Sequence, residues 1–157
     1  MRQSLLVLAV ICAGACSGTN IVTTETKPLA VSQPFFSTLY SGVREPQRTV
    51  INNEAAWSAL WSQIASENGT SAPPRVDFSK EVVVVAAMGE RKAAGYEIAI
   101  TGVQRVLDVL IVDVASTAPG PTCDRSEVIT TPLQAVRIPR TDEAVSFHER
   151  SVVLSCS

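Results

Sequence analysis

The sequence predicts an α+β domain: a mostly antiparallel sheet of about five to seven strands with one amphipathic helix packed on it. Three observations carry that expectation. Val82–Met88 is apolar at every position, which suits a strand covered on both faces near the centre of a sheet. Tyr96, Ile98 and Ile100 alternate with Glu97, Ala99 and Thr101, the period of two that marks a strand with one face in a core. Trp57, Leu60, Trp61 and Ile64 fall at i, i+3, i+4 and i+7, one apolar stripe on a helix.

A chain of 157 residues, 46% hydrophobic and 18% charged, has room for one domain with a real core and is too apolar to be disordered. Its net charge is −2 and it has no basic run. Nucleic-acid binding needs a cationic surface to neutralise phosphates, so that class is excluded.

Taken from the start, residues 1–15 read as a secretory leader. Arg2 supplies the positive charge, and Leu5–Ala15 is an eleven-residue apolar core, short of the roughly 20 residues a spanning helix needs. Ala13-Gly14-Ala15-Cys16 resembles the lipobox of bacterial lipoproteins, in which the cysteine thiol receives a diacylglyceryl group and becomes the new N-terminus. The alternative is an ordinary leader cleaved at the same bond, with Cys16 unmodified. By the usual sorting rule, Ser17 in place of an aspartate directs a lipoprotein to an outer membrane. The expected address is therefore a lipid anchor in the bacterial cell envelope. Residues 16–33, rich in Thr, Ser, Gly and Pro, read as a flexible tether, and residues 34–157 as the domain.

Within the domain, Phe35–Tyr40 is expected as a first strand and Arg48–Ile51 as a short strand or helix lead-in. Asn52 and Asn53 are competent N-caps, and the helix runs Glu54–Ser66, stopped by Asn68-Gly69. Its two tryptophans are expected to cover the sheet. Ala72-Pro73-Pro74 is a non-helical connector. Val82–Ile100 then reads as two strands joined by a turn, with Gly89 and Gly95 supplying the geometry of the reversal. Leu107–Ala115 is a further strand, Ser116–Thr122 a Pro-Gly-Pro loop, Gln134–Ile138 a strand, and Val145–Phe147 and Val152–Leu154 two last short strands. Cys156 shares a face with Val152 and Leu154, which suits a buried sulfur. In an exported protein, the two cysteines of the body, Cys123 and Cys156, are expected to form a disulfide.

In order along the chain come Trp57-x-x-Leu60-Trp61, Val76-Asp77-Phe78-Ser79-Lys80-Glu81-Val82-Val83, Gly89-Glu90-Arg91, Gly95-Tyr96-x-Ile98-x-Ile100 and Thr131-Pro132-x-x-Ala135-Val136-x-Ile138-Pro139. This series resembles the C-terminal domain family of PrcB, the lipoprotein subunit of a bacterial surface protease complex. Where that family carries Thr-Gly-Gly-Tyr, this chain has Ala93-Ala94-Gly95-Tyr96. The resemblance implies a non-enzymatic accessory role: binding and stabilising a partner, such as a secreted or envelope protease.

The residues point the same way. His148 is the sole histidine, and no G-x-S-x-G frames a serine. One histidine and two distant cysteines do not make a zinc site, and Asp124 with Glu127 is too few oxygens for a calcium loop. Gly89-x₅-Gly95 lacks the Lys-Ser/Thr of a phosphate loop. No catalytic residue, metal or cofactor is therefore expected. The candidate partner-binding residues are Glu90, Arg91, Lys92, Gly95 and Tyr96 in one loop and Pro119, Gly120 and Pro121 in another, since loops at one end of a rigid sheet are a common place for recognition. A protease inhibitor using the same loops is the first alternative, and a hydrolase the second.

Overall fold

The computed structural model describes residues 26–29, 34–69 and 72–156. The expected leader, the lipidation site Cys16 and most of the expected tether lie outside the described residues. In chain order the elements are β1 (Thr26–Pro28), β2 (Phe36–Thr38), β3 (Gln47–Ile51), α1 (Glu54–Asn68), β4 (Glu81–Ala87), β5 (Glu97–Val106), β6 (Val109–Pro119), β7 (Leu133–Pro139) and β8 (Ala144–Leu154). The strands form two four-stranded sheets, ordered β2-β7-β4-β3 and β1-β5-β6-β8. The α+β class holds, with mostly antiparallel pairing. The eight strands are divided between two stacked sheets, where the sequence pointed to five to seven in one.

The stack explains the unbroken apolar run of β4. Val82, Val84, Ala86 and Met88 face the second sheet and pack with Ile98, Ile100 and Val103 of β5 and Leu110, Val112 and Val114 of β6. Val83, Val85 and Ala87 face the other way and meet Trp57, Leu60, Trp61 and Ile64 of α1. The layers are thus helix, sheet, sheet. Both tryptophans are buried, as the helical stripe requires. Phe36 packs edge-on against Trp61 at 4.8 Å between ring centroids. The Trp57 indole N–H donates to the Pro74 carbonyl at 3.0 Å, pinning the proline connector. Asn53 caps the helix, its side-chain oxygen accepting from Ala56 N–H at 2.9 Å, and the Gly69 N–H closes the other end onto the Ala65 carbonyl.

Several expectations are corrected. Val82–Met88 and Tyr96–Thr101 do not pair as a hairpin: β4 is flanked by β3 and β7, and β5 by β1 and β6. With both edges of β4 occupied, the chain leaving it crosses to the other sheet, and the two segments meet through side chains. Leu107 is not in a strand. It holds φ 55° in the two-residue turn between β5 and β6, 72% exposed. Ser116–Pro119, expected as loop, continues β6. The two expected C-terminal strands are a single one, β8, which runs parallel to β6 from Val109↔Ala144 to Pro119↔Leu154. Thr26–Pro28, within the expected tether, adds a short strand to β5 through Thr26↔Val106 and Pro28↔Gln104. Cys156 is exposed, not buried, yet it is bonded to Cys123 as expected, with Cα atoms 5.0 Å apart.

Candidate functional site

The loop between β4 and β5 is held in place residue by residue. Gly89 has φ 78°, and a Cβ there would lie 2.8 Å from the Pro46 nitrogen and 2.9 Å from the Arg44 carbonyl oxygen. Only glycine allows that approach. Glu90 N–H then donates to the Arg44 carbonyl at 2.9 Å, and its carboxylate pairs with the Arg44 guanidinium, also at 2.9 Å. Arg91 and Thr130 exchange backbone hydrogen bonds, each 2.8 Å. Ala94 N–H donates to the Ser126 carbonyl at 3.0 Å.

Side chains complete the arrangement. The Arg91 guanidinium lies 5.8 Å from the centre of the Tyr96 ring, within the range of a cation–π contact, and donates to the Glu90 carbonyl at 2.9 Å. The Tyr96 ring is half-buried against the core between the sheets. Lys92 stands exposed. Gly95 has φ 92°, and a Cβ there would lie 3.2 Å from the Pro119 Cβ. The two loops picked out from the sequence therefore touch. Within the second, Pro121 is exposed, while Gly120 is buried and its N–H donates to the Leu154 carbonyl at 2.9 Å. Gly120 is thus part of the scaffold that carries the surface.

The structure adds a third segment. Glu127, Val128 and Ile129 join Lys92 around a recess of about 350 Å³, and Ile129 is 57% exposed. Residues 124–129 show no periodicity, so nothing in the sequence placed them here. The backbone hydrogen bonds of Arg91 with Thr130 and of Ala94 with Ser126 bring them alongside. This end of the sandwich thus brings an ammonium group, a carboxylate and an exposed apolar side chain together within a small area.

Among the described residues, no three His, Cys, Asp or Glu gather to hold a metal ion. His148 is exposed, with Nδ1 3.8 Å from the Asp113 carboxylate. The alternation along β6 and β8 puts that pair on the open face of the second sheet, away from the core and separate from the recess beside Lys92. Among the described residues, no helix is long and apolar enough to cross a membrane.

Residues 82–139, from β4 through β7, match the family model described as PrcB C-terminal. No curated protein and no solved structure matches the chain.

Proposed function

We propose that this chain, whose residues 82–139 match the PrcB C-terminal family model, is a lipid-anchored, non-catalytic accessory protein of the cell envelope that docks and stabilises a partner protein, such as a secreted protease. The lipid anchor is Cys16 and the tether holds the domain off the membrane. The docking surface is the β4–β5 loop with its neighbours: Lys92 and Tyr96, Pro119 and Pro121, and Ile129.

One observation carries the reading. Gly95 and Pro119 come within van der Waals reach across the two loops, so residues far apart in sequence form one continuous surface. That surface rests on a disulfide-closed sandwich and needs little ordering when a partner binds, which lowers the cost of association.

A photo-crosslinking residue at Ile129, beside Lys92, in the full chain in its own cells, tests it. Capture of a discrete envelope protein by position 129, lost in Lys92→Glu and absent with the crosslinker on the opposite side at Ser62, supports the reading. Equal capture from both positions removes the surface. Cys16→Ala tests the anchor separately: the protein leaves the membrane fraction if Cys16 is lipidated, and stays if it is not.

A further inference from the structure

We propose that the groove between the outer edge of β3 and the flank of α1 binds a single extended, uncharged peptide segment by strand addition. This surface is separate from the β4–β5 loop, and the proposal stands or falls without it.

The argument starts from bonding parity. Met88 N–H donates to the Pro132 carbonyl at 2.8 Å, and Arg140 N–H to the Lys80 carbonyl at 2.7 Å. Even-numbered residues along β4 therefore direct their main-chain groups at β7, and Val83, Val85 and Ala87 direct theirs at β3. Their ladder partners are Thr49 opposite Val85, Gln47 opposite Ala87 and Ile51 opposite Val83. In an antiparallel ladder those partners point back at β4. Arg48 and Val50 must then present their N–H and C=O groups outward. No hydrogen bond from a described residue outside the strand reaches those main-chain groups. An open row of this kind is a template for another strand.

The row does not face bulk solvent alone. The chain turns from β3 into α1 through Asn52 and Asn53, and the helix runs back beside the edge. Gln47, Thr49 and Ile51 of the strand and Ala56, Ala59 and Gln63 of the helix, with Leu60, enclose a groove of about 280 Å³. None of these side chains is charged. The helical wall is built from alanine methyls and the floor from a hydroxyl, an amide and an aliphatic group. An added strand would place alternate side chains in this groove, where small or β-branched neutral residues fit and a charge would find no counterion.

The occupant is one strand, not a second copy of this chain. The edge is five residues long, closed at one end by Pro46, which has no N–H, and at the other by the start of the helix. A pairing of that length falls well short of the roughly 1,200 Å² a stable protein interface buries. A lone peptide needs only the main-chain bonds and seats for alternate side chains.

The test uses the purified domain with its disulfide intact and a blocked peptide, acetyl-Ser-Val-Thr-Val-Thr-Ser-amide. Amide exchange is followed by NMR. The expected result is slowed exchange at Arg48 and Val50 on peptide addition, and no such change with the same peptide N-methylated at alternate residues. Val50→Pro removes one outward donor but no bond to β4, a position an edge strand tolerates, and Ala59→Arg fills the groove from an exposed helical site. Each is expected to weaken binding by at least about tenfold, equivalent to one lost interaction of about 1.4 kcal/mol. Binding unchanged in a folded Ala59→Arg variant overturns the proposal, as does protection elsewhere, for example along β8. Protection of Arg48 and Val50 that rises with protein concentration in the absence of peptide assigns the edge to a second copy and overturns it equally.

Discussion

Arg48 and Glu149 tie the two sheets together along one side of the sandwich. The guanidinium Nε and Nη2 donate to the two carboxylate oxygens at 2.6 and 2.9 Å, and Nη1 donates to the Ala87 carbonyl at 2.7 Å. The Arg48 side chain is 21% exposed and that of Glu149 47%. A forked pair of this kind is stronger than a single-point surface ion pair. Arg48→Met forfeits the carboxylate and the carbonyl together, and is expected to lower the unfolding free energy by about 1–2 kcal/mol. Glu149→Gln keeps part of the hydrogen bonding and is expected to cost about 0.5 kcal/mol. Urea titration of the two variants and the double variant checks this. Strict additivity would mean the two groups do not interact in solution.

Gly89 and Gly69 share left-handed backbone and differ in surroundings. A Cβ at Gly69 would meet nothing within 4 Å, whereas at Gly89 it would run into the Pro46 nitrogen and the Arg44 carbonyl. Gly69→Ala is expected to cost about 1 kcal/mol, the intrinsic penalty of the left-handed region. Gly89→Ala is expected to cost about 2–4 kcal/mol, because overlap with fixed main chain is added to that penalty. Thermal melts of the two proteins side by side decide it. Equal losses would show that the 44–46 segment moves aside freely.

These particulars show what was legible in the sequence. Burial was: the all-apolar β4 and the stripe Trp57-Leu60-Trp61-Ile64 both declared which faces they cover, since side-chain hydrophobicity reports solvent exclusion directly. Strand partnership was not. The alternation of Ile98 and Ile100 fixes a face but not an edge, so β4 and β5 fit a hairpin as well as they fit two stacked sheets. Leu107 was misplaced because an apolar residue occupies a turn position where Asn or Gly is the usual signal. β8 seemed to break at His148-Glu149-Arg150 because an edge strand can be polar on both faces. At the candidate site, Gly89 and Gly95 were readable from their role in turns, and the meeting of Gly95 with Pro119 follows from the extension of β6 to Pro119, which a Pro-rich stretch conceals. Ile129 left no signal, since its position depends on the backbone bridge between Arg91 and Thr130.

Gly95→Asp is a poor probe of partner binding for the same reason. The new side chain would sit at φ 92° against the Pro119 ring and disturb the loop itself. Lys92→Glu reverses charge at an exposed position. It is expected to leave the melting temperature within about 1 °C, as surface substitutions usually do, while abolishing capture of the partner. A lower melting temperature alongside lost capture would point to unfolding, not to docking.

Stability should fall in acid in a way traceable to Asp77. Hydrogen bonds from the Ser79 hydroxyl, from Lys80 and from the Ser79 backbone hold its carboxyl below the ordinary 3.8. A depressed folded-state value contributes stability above the unfolded value, and that contribution is lost as pH falls through the folded one. Asp77→Asn is therefore expected to melt below the parent at pH 7 and to converge with it once the pH has fallen below the folded-state value of the Asp77 carboxyl. The hydrogen bond from Arg105 gives Glu143 the same direction of shift, so acid should also loosen the start of β8. A gap between parent and Asp77→Asn that stays constant with pH would show that the carboxylate charge contributes nothing.

The Cys123–Cys156 bridge closes a separation of 33 residues, and that span predicts how much it contributes. It joins the β6–β7 connection to the segment after β8, where the Thr122 hydroxyl also donates to the Cys156 carbonyl at 2.9 Å. β8 is an edge strand whose ladder partner is β6, and past the end of that ladder the bridge and the Thr122 hydrogen bond restrain the chain. In the chain-entropy account a loop of that size is worth about 3–4 kcal/mol, through the unfolded state. The Cys123→Ser, Cys156→Ser double variant should lose that amount and show a larger denaturant m-value, since its unfolded chain is more expanded. The parent in reductant should match it. A loss below about 1 kcal/mol with unchanged m-value would mean that the bridge acts only locally. Fast amide exchange confined to Val153 and Leu154 would then be its sole trace.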